Sequence, residues 1–140
     1  MFEAGRLGQG SSGASTGWIA DDPGISFAEA EKLIGLSAAR HAWRSWRRAS
    51  LDFSALIKRL ELKCGFEPQG SLLVAPTPEE AARLTREQQI RKAAGFDASI
   101  VNARAVSVEA GVGATSALRS REGGIIDPYR ATLGLAAAAV

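Results

Sequence analysis

The densest supply of potential ligand-binding groups lies between residues 5 and 17. Gly5, Gly8, Gly10, Gly13 and Gly17 alternate there with Ser11, Ser12, Ser15 and Thr16. Glycine lets a backbone approach an anion closely, and successive amides can cradle phosphate or carbonyl oxygens. The hydroxyls add further donors. The same composition also describes an inert surface loop, and composition alone leaves both readings open. Other chemistry is thinly supplied. His41 is the single histidine and Cys64 the single cysteine, so no histidine pair at metal spacing, no Cys-x-x-Cys and no internal disulfide can form. No metal site is expected. No Gly-x-x-x-x-Gly-Lys-Ser/Thr phosphate loop occurs. His41 reads as a helix-surface or packing residue. Cys64, without an activating partner, reads as a small core residue.

The elements that must position these groups follow from start and stop signals. Asp21-Asp22-Pro23-Gly24 makes a turn. Ser26-Phe27-Ala28-Glu29 is a capping box and predicts a long helix to about Ala49. Leu33, Leu36, Ala39, Trp43 and Trp46 form an apolar stripe along it, and Arg40, Arg44, Arg47 and Arg48 a basic stripe beside it. Gly35 weakens its middle by up to about 1 kcal/mol. Asp52 is expected to cap a shorter helix through Arg59. Pro68-Gln69-Gly70, followed by the apolar run Ser71–Ala75, predicts a hairpin. Thr77-Pro78-Glu79-Glu80 opens a helix that should reach Ala94 and stop at Gly95. A short helix at Ala103–Glu109, a strand at Thr115–Arg119, a turn at Gly123-Gly124 and a last helix opened by Asp127-Pro128 complete an α+β order with no βαβ unit of its own.

At 140 residues and 46% hydrophobic content the chain suffices for one domain with a modest core. A formal net charge of +2 is too weak an argument for nucleic acid. An arginine stripe on a helix is most often a solvated face, so no nucleic-acid partner is expected. The longest apolar run, Leu135–Val140, is far short of the ~20 residues that span a bilayer. No signal peptide is readable, and cytoplasm is the default location. The chain opens into a loop and closes on an alanine-rich helix with no stop signal, which reads as truncation of a longer fold.

The N-terminal stretch taken whole carries a resemblance. Phe2-Glu3-Ala4-Gly5-Arg6-Leu7-Gly8-Gln9-Gly10-Ser11-Ser12-Gly13-Ala14-Ser15-Thr16-Gly17 resembles one segment of the D-amino-acid oxidase-like superfamily of FAD enzymes, which includes glycine and sarcosine oxidases and D-amino-acid dehydrogenases. Gly65–Ala75 is similar to that family's hairpin into the substrate domain. Thr77–Gly95 resembles the helix after it, and Gly124-Ile125-Ile126-Asp127-Pro128 the family's Val-Asp-Pro helix start. Glu109-Ala110 departs from the family's frequent Glu-Pro. The resemblance implies that Glu3 accepts hydrogen bonds from the adenosine ribose. It implies that Ser11, Ser12, Gly13, Ala14, Ser15, Thr16 and Gly17 line the FAD, mostly through backbone amides. It names no catalytic residue, because the flavin takes the hydride from a C–H next to nitrogen and the protein orients an amine or amino-acid substrate.

The implied fold class is α+β, a fragment of an α/β FAD-binding Rossmann-like fold plus part of an antiparallel-sheet substrate domain. Residues 1–25 would be the end of an FAD-binding strand and the cofactor-facing loop, and 26–60 a helical segment. Residues 61–126 would be part of the substrate-binding domain, and 127–140 the start of a helix returning to the FAD-binding domain. The family's Gly-x-Gly-x-x-Gly turn and its C-terminal half would lie outside these residues, as parts of the same fold with which this piece must combine, and the chain alone would be inactive. The competing reading is a non-enzymatic helical module docking through Trp43 and Trp46.

Overall fold

The computed structural model describes residues 5–139. Helices and antiparallel sheets make up the fold, as an α+β class requires, in two compact units. One unit gathers residues up to Asp21, Arg47–Gln69 and those from Glu122 onward; the other gathers Asp22–Trp46 and Gly70–Arg121.

The first unit holds a small sheet of two-residue strands, β1 (Trp18–Ile19), β2 (Glu67–Pro68) and β6 (Gly124–Ile125), in the order β1-β6-β2. Both pairings are antiparallel, with Trp18 and Glu67 each opposite Ile125. Helix α5 (Pro128–Ala138) follows. The Asp127 carboxylate accepts from the Arg130 amide, and proline fills the first turn, as the sequence signal requires. Ile57, Cys64 and Ala131 form the core, with Ile19, Phe53, Leu62, Phe66 and Ile126 against it. Cys64 is fully buried there.

The second unit is built on a sheet ordered β3 (Ser71–Ala75), β5 (Ser116–Ser120), β4 (Ser99–Asn102), all antiparallel. Val106 of α4 (Ala103–Ala110) packs with Val101, Ala117, Leu72 and Val74. Helix α3 (Pro78–Ala93) has the full Thr77/Glu80 capping box, and Gly95 just past its end takes a φ of 88°. Its other neighbour is α1 (Phe27–Ile34), where Phe27, Trp43 and Phe96 meet with ring centroids 5.4 to 5.5 Å apart.

Three expectations fail, each for a local reason. The long helix after Ser26 is two helices. Gly35 leaves helical geometry at φ 81°, ψ 157°, closing α1 through its N–H to Glu31 and opening α2 (Leu36–Arg59) by accepting from Ala39. Asp52 caps nothing: α2 runs straight through it, and its carboxylate pairs with Arg48 one turn earlier at 2.8 Å. The hairpin at Pro68-Gln69-Gly70 does not close, because β2 pairs with β6 and β3 with β5. The sequence reading also missed β1, β4 and β6, all too short to show alternation; Gly124, expected in a turn, opens β6.

The docking reading loses its main anchor. Ala39 and Trp43 are buried in the aromatic core, while Leu33, Leu36 and Trp46 are exposed, so the stripe is no single face. Of the basic stripe, Arg47 pairs with Glu122, Arg48 with Asp52, and Arg40 donates to the Ala93 carbonyl at 3.2 Å. His41 is exposed.

The strongest polar feature of the second unit is the buried pair Glu87–Arg91. The Glu87 carboxylate accepts from the Phe27 amide at 2.6 Å, the Ala28 amide at 3.2 Å and Arg91 Nε at 2.6 Å. Arg91 stacks on Trp43 at 4.3 Å and reaches Asp22 at 3.5 Å. Removing one partner of a buried pair strands the other, at a cost of about 3–5 kcal/mol. Glu87→Ala should therefore lower the urea midpoint sharply. Arg48→Ala, which breaks a pair in open solvent, should leave it nearly unchanged. Equal effects would contradict the assignment.

Two carboxylates give the fold an acid limit. The Ser26 hydroxyl and amide hold Glu29 below the ordinary value of 4.5, and Arg47 does the same for Glu122. Their folded values lie below their unfolded ones. The stabilisation is therefore complete above about pH 5 and fades as the pH falls through the folded values. Denaturation midpoints should be flat from pH 6 to 8 and drop in acid, and Glu122→Gln should blunt the drop. An equally steep drop in that variant would remove Glu122 from the account.

Candidate functional site

The Gly/Ser loop is a folded piece of the first unit. Tight turns set its path: the amides of Gln9, Ala14 and Ser15 bond to Arg6, Gly10 and Ser12 carbonyls at 3.2, 3.4 and 3.5 Å. Three glycines are required by contact. Gly8 has φ 76°, and a Cβ on it would lie 2.8 Å from the Tyr129 ring. A Cβ on Gly13 would lie 1.9 Å from the Gly8 carbonyl oxygen. Gly17 has φ 73°, and its Cβ would meet the Ile126 carbonyl oxygen at 2.0 Å. The Gly17 carbonyl in turn accepts from the Ile126 amide at 2.9 Å, and the Asp127 amide bonds to Cys64 at 2.7 Å. The loop is thus fastened to the start of α5.

Between loop and helix lies a pocket of about 250 Å³. Ser12, Ser15, Gly17 and the exposed Trp18 line it, together with Phe53 of α2 and Ile126. Ala131, Thr132 and Leu135 complete the wall from α5. The Ser15 hydroxyl accepts from the Gly17 amide at 3.3 Å, which leaves its proton free to donate. The Ser12 hydroxyl has no partner among the described residues, nor do the amides of Ser11, Ser12 and Gly13.

Of the residues implied to line a cofactor, Ser12, Ser15 and Gly17 are brought together in this pocket. Ser11, Ala14 and Thr16 do not line it, and Gly13 is spent on the turn against Gly8. Glu3 lies outside the described residues. Two pocket features escaped the sequence reading. Trp18 and Phe53 are separated in sequence and carry no motif. The string Gly8-Gln9-Gly10-Ser11-Ser12-Gly13 also spells Gly-x-Gly-x-x-Gly, the dinucleotide fingerprint, but turns surround it and no helix follows. Without a helix N-terminus it lacks the part that holds pyrophosphate. No His/Cys/Asp/Glu group suited to a metal occurs among the described residues, and no described helix is long and apolar enough to cross a membrane.

Residues 1–140 match the family described as FAD dependent oxidoreductase, and the chain belongs to it. Solved structures agree at the level of fold. Glycine oxidase from Geobacillus kaustophilus is 21% identical, with a TM-score of 0.63 over 97% of this chain and 36% of that one. L-amino acid deaminase from Proteus myxofaciens is 18% identical, with a TM-score of 0.61 over 91% of this chain and 27% of that one. L-proline dehydrogenase from P. horikoshii is 20% identical, with a TM-score of 0.53 over 67% and 27%. The chain therefore spans only 27–36% of the length of these proteins. A search of curated proteins found no match.

The glycine contacts are directly testable. Gly17→Ala adds left-handed strain to a backbone clash and should cost about 1–3 kcal/mol. Gly10→Ala, with open space around it, should be nearly neutral. Thermal unfolding of the two variants checks the contrast, and similar melting temperatures would contradict the loop geometry.

Proposed function

We propose that this chain is part of an FAD-dependent oxidoreductase that oxidises the C–N bond of an amine or amino acid, with the Gly/Ser loop facing the cofactor. The match of residues 1–140 to the family supports the reading. The single structural observation that carries it is the pocket of unspent hydroxyls beside the glycine-fastened loop. Ser12 and Ser15 supply side-chain donors there, and the amides of Ser11 and Ser12 are available to cofactor oxygens. Glu3 is assigned to the ribose hydroxyls by the resemblance. The flavin, when bound, would supply acceptance of a hydride from a C–H adjacent to nitrogen, leaving an iminium that becomes the imine by losing a proton to water. This chain's own residues bind and orient.

Pyrophosphate is assigned to a part of the enzyme outside these residues, because the one fingerprint string here opens no helix. The 140-residue chain should therefore hold FAD weakly, with a Kd above about 100 μM, or roughly −5 kcal/mol at most. Equilibrium dialysis checks this. Replacing Ser12 and Ser15 together with alanine should weaken retention further, by several-fold. Tight stoichiometric binding would contradict the missing pyrophosphate anchor. Retention unchanged by the double substitution would move the cofactor off this loop. No retention at millimolar FAD would remove the cofactor reading.

A further inference from the structure

We infer that the outer face of α2 between Ala49 and Leu60 recognises itself: it takes the same face of a second copy of this chain, running antiparallel. The inference is independent of the cofactor reading and uses no residue of the Gly/Ser loop.

The sequence sets a seam. Ala49, Phe53, Leu56 and Leu60 follow one another at spacings of four, three and four, the repeat of a helix that packs lengthwise on another helix. The Leu60 amide carries the α2 ladder on to the Leu56 carbonyl at 2.9 Å, so the row stays in register to its end. Burial separates the seam from its inner flank. Ser50 and Ile57 there are 6% and 2% exposed, sunk into the chain's own interior. On the seam, Ala49 and Leu60 are exposed, and Phe53 and Leu56 are half-buried. A depression of about 510 Å³ opens beside them, and its lining residues Asp52, Phe53, Ala55, Leu56 and Arg59 all come from α2. One wall is present, and its facing wall has to come from another helix.

Charge identifies the occupant. Asp52 and Arg59 edge the seam with opposite signs, two turns or ~10 Å apart. Arg59 has no partner among the described residues, and the Asp52 carboxylate is held by Arg48 in open solvent. A parallel pair of these helices would set Asp52 beside Asp52 and Arg59 beside Arg59, which repels. An antiparallel two-fold instead brings each Asp52 within reach of the other copy's Arg59, so the attraction is made twice. The same rotation lays Phe53 against the other copy's Leu56 and Ala49 against its Leu60, with the small Ala55 near the crossing point. A face that complements itself in both charge and apolar side chains after one rotation fits a second copy. The seam spans only ~17 Å of helix, so the dimer is a small, reversible one.

Sedimentation equilibrium of the 140-residue chain, over roughly a hundredfold range of concentration, should show monomer and dimer in exchange. Asp52→Arg alone and Arg59→Asp alone should each weaken dimerisation about tenfold or more, because like charges then meet twice. Mixing the two variants should restore a dimer, since each then finds its opposite on the other chain, and the double variant should dimerise like the parent. Both positions are exposed, so the melting temperatures of the dilute variants should match the parent's. A monomer at every concentration overturns the inference and gives the face to another part of the enzyme or to another protein. Dimerisation untouched by either substitution also overturns it. So does a mixture no more dimeric than its components, because only antiparallel self-pairing predicts that rescue. FAD retention, measured separately on the Asp52→Arg monomer, keeps failure of the cofactor reading distinct from failure of this one.

Discussion

Everything at the site hangs on the contact between Gly17 and Ile126. The two residues are far apart in sequence, yet each backbone presses on the other at a distance no Cβ could share. The Ile126 amide closes the contact with a hydrogen bond, and the Asp127 amide continues it to Cys64. A backbone-to-backbone seam of this kind fixes position to a fraction of an ångström, because no side-chain rotamer can absorb an error. It holds the two serines over α5 and sets Trp18 at the edge of the pocket. The glycines that composition offers as anion-binding groups thus serve a different end. Gly8, Gly13 and Gly17 are consumed in shaping the loop, and the hydroxyls beside them remain for a ligand.

The second unit is secured by a different device. A buried carboxylate with three donors substitutes for the water that the amides at the start of α1 would otherwise need. The guanidinium that balances it lies over the Trp43 ring within the aromatic trio. Charge, helix terminus and aromatic packing are coupled at one point, so the network is costly to break. The exposed pairs along α2 carry no such cost, which is why the basic stripe reads as a solvated face.

The sequence was most legible where one residue type has one physical use. Both capping boxes, the Asp127-Pro128 start and the Gly95 stop appear where their hydrogen-bond logic puts them. It misled where a residue has two uses. Gly35 could dent a helix or end it, and the left-handed φ ended it. Asp52 could cap or pair, and Arg48 one turn earlier decided for pairing. Pro68-Gln69-Gly70 could close a hairpin, but the strands on either side found partners in Gly124–Ile125 and Ser116–Ser120. The loop was visible as a candidate site, and its Ser12 and Ser15 line a pocket beside α5. The rings that complete the pocket were not visible. Trp18 and Phe53 come together only through folding, and no spacing in the sequence announces that.

The most direct measurement is a two-dimensional amide and indole NMR titration of the chain with FAD. Shifts are expected at the amides of residues 11–18, at the Trp18 indole N–H and at the pocket-lining Phe53, Ile126, Ala131, Thr132 and Leu135. The buried Trp43 indole and the Arg44–Arg48 amides should stay still. Shifts centred on α2 with a silent loop would contradict the assignment of the Gly/Ser loop as the cofactor-facing surface.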